Sequence, residues 1–67
     1  MTNGPYDIAL PARFSFSMRA TARAYLAAAN AGDDEQEALA AALKAHPLAT
    51  GDEATLIAHL RLAGAMI

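Results

Sequence analysis

The side chains able to do chemistry in this chain are few: two histidines, two serines, seven acids and five bases, with no cysteine. His46 and His59 could ligate a metal only together with a third group such as Asp52 or Glu53, because neither has a second ligand three or four residues further on. They read instead as a helix-end cation (His46) and a surface or interface side chain (His59). Ser15 and Ser17 would need a histidine base and an orienting acid to act as nucleophiles. They stand instead where a helix should begin, and capping is the usual work of serine there. The acid pairs Asp33/Asp34 and Asp52/Glu53 fall in first helical turns and should be well solvated, as helix-capping acids are. Gly4, Gly32, Gly51 and Gly64 are isolated, so no glycine-rich loop cradles a phosphate. These absences predict a protein that is not an enzyme, with no metal, no cofactor and no small-molecule substrate.

The elements that must position these groups are helices. Phe14, Met18, Ala22, Tyr25, Leu26 and Ala29 follow the spacing of one helical face and predict a helix over about 15–30, closed by Asn30-Ala31-Gly32. A second helix is predicted over about 34–45. Asp33 is its expected N-cap, Gln36 completes a capping-box variant, and Pro47 stops it. Its buried stripe should be Ala38, Leu39, Ala42 and Leu43, with His46 at its edge. A third helix is predicted over about 51–63, opened by Thr50 and Glu53 as a T-x-x-E capping box. Glu53, Leu56, Ile57, Leu60, Ala63, Gly64 and Ile67 share one of its faces, whereas Leu62 and Met66 fall on a second side near His59. The short connections favour antiparallel neighbours, hence an all-α three-helix bundle. Residues 13–67 form its single domain. Residues 1–12, with two prolines and alternating Tyr6, Ile8 and Leu10, form an extended N-terminal arm.

Composition limits what such a bundle can bury. Nineteen of the 67 residues are alanine, and the larger apolar residues number only eighteen, with no valine or tryptophan. Alanine has the best helix propensity and loses no rotamer freedom, but its burial stabilises little. A chain of this size buries only about 60% of its unfolded surface. The helices are therefore well specified and the core thin, which predicts association with a second copy or a larger protein. No basic start precedes an apolar run near the N-terminus, and no apolar stretch is long enough to span a bilayer. A cytoplasmic protein that does not engage membranes is the expectation.

Charge is distributed unevenly. Residues 1–31 carry Arg13, Arg19 and Arg23 against Asp7, a net of +2, and residues 32–67 carry six acids against Lys44 and Arg61, a net of −4. Residues 13–18, Arg-Phe-Ser-Phe-Ser-Met, also alternate with period two, as a short strand would. A strand followed by two helices is similar in layout to the ribbon-helix-helix repressors and antitoxins, over about residues 13–46. The resemblance implies a dimer whose paired strands enter the major groove. Phe14, Phe16 and Met18 would then point inward, and Arg13, Ser15 and Ser17 would read bases. The chain departs from that family at the start of its second helix, where the family holds a phosphate on backbone N–H groups. Here Asp33, Asp34 and Glu35 would face the phosphate with like charge.

The reading best supported by the sequence is a small regulatory or accessory protein that docks on a larger protein or on itself. Its expected contact residues are Phe16, Leu62 and Met66, which leave the main apolar stripes, and Arg19 and Arg23 beside Tyr25. Operator binding by a ribbon-helix-helix dimer is the alternative.

Overall fold

The computed structural model describes residues 9–66 and consists of three α-helices: α1 (Phe16–Asn30), α2 (Glu35–Ala45) and α3 (Thr50–Leu62). Each lies within one residue of its sequence-based bounds, and no strand occurs among the described residues. Tyr6, Ile8 and most of the N-terminal arm lie outside the described residues, as does Ile67. Of the arm, Leu10 packs against the core.

Helix α1 begins where Ser15, in extended conformation, accepts a hydrogen bond from the Met18 amide at 3.2 Å. Its predicted face is buried along its whole length, from Phe14 through Met18, Ala22, Tyr25 and Leu26 to Ala29. Gly32 takes φ +103° after the last turn, so its amide reaches the Ala29 carbonyl and that of Asp33 reaches Ala28. This paired closure satisfies carbonyls that the helix end would otherwise leave open, and it needs the left-handed conformation that glycine adopts without strain.

Helix α2 is capped by Asp34, whose carboxylate accepts from the Gln36 amide at 3.0 Å. The expected cap was Asp33. The closure of α1 uses the Asp33 backbone, which moves the start of α2 on by one residue. Ala38 and Ala42 face the core fully, Leu39 and Leu43 are half-buried, and His46 is exposed rather than part of the stripe. The capping box expected at α3 is not formed either. Ala49 occupies the N-cap with no side-chain hydrogen bond, and Thr50 is already helical. Thr55 turns its hydroxyl back onto the Gly51 carbonyl within the helix.

Helix α1 is central. It packs against both α2 and α3, most extensively against α2, while the α2 and α3 backbones do not approach each other. Two buried hydroxyls fasten the flanking segments to it. Thr21 donates to the His46 carbonyl at 2.7 Å, with the Ser17 carbonyl at 3.0 Å as the competing acceptor, and this holds the end of α2 beside the first half of α1. Tyr25 donates to the Ala65 carbonyl at 2.6 Å, which fixes the chain after α3. That carbonyl comes within reach because Gly64, at φ +81°, turns the chain back and buries Ala65. The core is therefore built from Phe14, Met18, Tyr25, Leu26, Leu56 and Leu60, with alanines filling the remaining positions.

Candidate functional site

Among the described residues two large apolar side chains project into water: Phe16 at 87% exposure and Leu62 at 89%. Helical geometry explains both. Phe16 shares the outer strip of α1 with Ala20, Arg23 and Ala27, spaced by four, three and four residues and opposite the buried Met18–Tyr25–Ala29 face. Leu62 stands two residues from buried Leu60, about 200° around α3, and so points away from the core.

Between the separated walls of α2 and α3 lies a groove of about 320 Å³, lined by Glu35, Gln36, Leu39, Ile57, Arg61 and Met66. Leu39, Ile57 and Met66 are half-buried and supply its apolar surface. Both walls follow from residues that flank the core stripes. Leu39 stands one position past Ala38, and Ile57 one past Leu56, so each is turned about 100° from the direction of burial.

The expected contact residues thus fall into separate places. Phe16 and Arg23 lie on the outer strip of α1, Leu62 on the outer side of α3, and Met66 in the groove. The Arg19 guanidinium donates to the Pro11 carbonyl at 2.9 Å and to the Phe14 carbonyl at 3.3 Å, tying down the turn that enters α1. Tyr25, expected beside the arginines, is fully buried. The groove was not anticipated as a unit. Its sequence signal is that α3 and the residues after it carry apolar groups on a second side, Leu62 and Met66, of which Met66 lines the groove.

The residues of the DNA-binding alternative also have local structural roles. Ser15 caps α1, Ser17 offers its carbonyl to Thr21, and the Arg13 guanidinium lies 5.7 Å from the centre of the Phe14 ring. Residues 13–18 make a turn, a cap and the first helical turn, so the strand on which the ribbon-helix-helix layout depends is not formed. The period-two alternation arises because Phe14 precedes the helix and inserts into the core, while Phe16 and Met18 fall on opposite sides of its first turn.

His59 packs edge-on against Phe14, with ring centres 5.2 Å apart, and its Nε2 lies 3.3 Å from the Ala9 carbonyl. The entry segment is thereby pinned from α3 as well as by Arg19. Among the described residues no three His, Asp or Glu side chains converge as a metal site would require, and no helix is long and apolar enough to cross a membrane. No protein-family model, curated protein or solved structure matches the chain.

Proposed function

We propose that this all-α domain is a cytoplasmic interaction protein, an accessory subunit or inhibitor without catalysis, that docks on a larger protein or on a second copy of itself. The observation carrying this reading is the exposure of Phe16 and Leu62 in a chain so short of large apolar residues. Burying either side chain would gain about 1.5–3 kcal/mol, yet both stand in water while alanines fill the core. We take these two exposed groups as separate contact points, and Arg23 supplies beside Phe16 a charge of the kind found at protein-binding hot spots.

The test is capture of partners from the native cell with the wild-type chain and with the Phe16→Ser/Leu62→Ser double variant. Both sites are exposed, so the variant should keep the wild-type helical circular dichroism. The reading expects bound protein that is lost with the double variant. Identical capture by both chains, or capture by neither, counts against it.

A further inference from the structure

The strongest unassigned feature is the open groove between α2 and α3. A central helix with two flanking helices whose backbones stay apart leaves an apolar groove between the flanking pair, open to a large side chain from another helix. We infer that the occupant of this groove is the outer strip of α1 from a second copy of the chain, with Phe16 as the anchor. The inference rests on the docking reading above and specifies one partner and one contact.

Three observations converge on that occupant. The first is size: the groove measures about 320 Å³ and has an apolar lining from Leu39, Ile57 and Met66. A cavity of about 150 Å³ already accepts a benzene ring, so a phenylalanine side chain fits with room for its approach. The second is shape. Phe16 is followed on its strip by Ala20 and Ala27, whose small side chains let another helix come close. The third is charge. The strip carries Arg23, with Arg13 exposed just before the helix, whereas the exposed acids Asp33 and Asp34 immediately precede Glu35, the first residue of the groove's α2 wall. Arg61 on the α3 wall is the one base in the lining. Arg23 stands seven residues beyond Phe16, about 10 Å along the helix, so an anchored helix running antiparallel to α2 brings it toward the acidic turn.

The donating strip faces away from α2 and α3, and the accepting groove lies between those two helices. Docking is therefore head-to-tail, and each copy both gives and receives a contact, as in a heterologous assembly. The −4 and +2 halves of the sequence favour the same direction.

Sedimentation of complementary variants tests this. Phe16→Glu removes the anchor and keeps the groove; Leu39→Glu spoils the groove and keeps the anchor. Ile57→Glu serves as a second groove variant, and circular dichroism confirms that each chain is folded. Wild type should show a mass that grows with concentration between micromolar and millimolar, more weakly at high ionic strength. Each variant alone should associate roughly tenfold or more weakly. A mixture of Phe16→Glu with either groove variant should form a one-to-one complex that grows no further, because only one intact contact remains. Three results would overturn the inference: association undiminished by Phe16→Glu, association undiminished by both folded groove variants, or mixtures that remain monomeric. A wild-type chain that stays monomeric throughout would also overturn it. That last result leaves docking on a different protein intact, since the capture experiment decides that separately.

Discussion

Tyr25→Phe removes one oxygen atom and should destabilise the domain more than any other change so small. The Tyr25 hydroxyl donates to the Ala65 carbonyl at 2.6 Å, and both residues are completely shielded from water. Phenylalanine keeps the ring and its packing, so the loss isolates the polar contact. A buried acceptor left without its donor costs about 1–3 kcal/mol. A 67-residue domain has a total stability of about 3–10 kcal/mol, so this is a large share. Urea unfolding followed by helical circular dichroism measures it directly. With a slope near 1 kcal/mol/M, as expected for so small a chain, the midpoint should fall by about 1–3 M at unchanged slope. Thr55→Ala is the matched control, because that hydroxyl bonds only within its own exposed helical turn and should be nearly neutral. A Tyr25→Phe midpoint within experimental error of wild type would refute the claim that this hydroxyl fastens the end of the chain.

Other substitutions probe the remaining joints. Leu60→Ala deletes a fully buried side chain and should cost about 2–5 kcal/mol, enough to leave much of the population unfolded by the same assay. Ala49→Ser would supply the side-chain cap that α3 lacks and should raise the urea midpoint, by about 0.5–2 kcal/mol of stability. Thr50→Ala should change little, because Thr50 is inside the helix and caps nothing; a loss near 1 kcal/mol would restore the capping-box reading. Gly32→Ala meets no atom within 4 Å but must hold φ +103°, so about 1–2 kcal/mol of backbone strain should appear as a lower thermal midpoint.

The helical architecture was legible because its signals are local. The stripe on α1, the glycine after it and the proline after α2 each act within a few residues, and their predicted boundaries agree with the structure to one residue. The caps of α2 and α3 were less legible, because a cap depends on where the preceding turn ends. Asp33 gave its backbone to the closure of α1, and α3 began one residue too early for Thr50 to serve. Tertiary roles were legible only in part. Phe16 and Leu62 could be recognised as off-stripe from helical angles alone, and both are exposed. The capture of Arg19 by the Pro11 and Phe14 carbonyls depends on a turn geometry that periodicity does not encode. The groove needed the relative placement of α2 and α3, which follows from how each packs on α1.

Photocrosslinking in the living cell tests most directly whether the exposed apolar side chains are contact points. A photoreactive phenylalanine analogue placed at Phe16 or Leu62 should yield protein adducts. The same group at Ala41, exposed on α2 between Ala40 and Ala42, should yield few or none. Adduct formation at Phe16 and Leu62 no greater than at Ala41 would contradict the account.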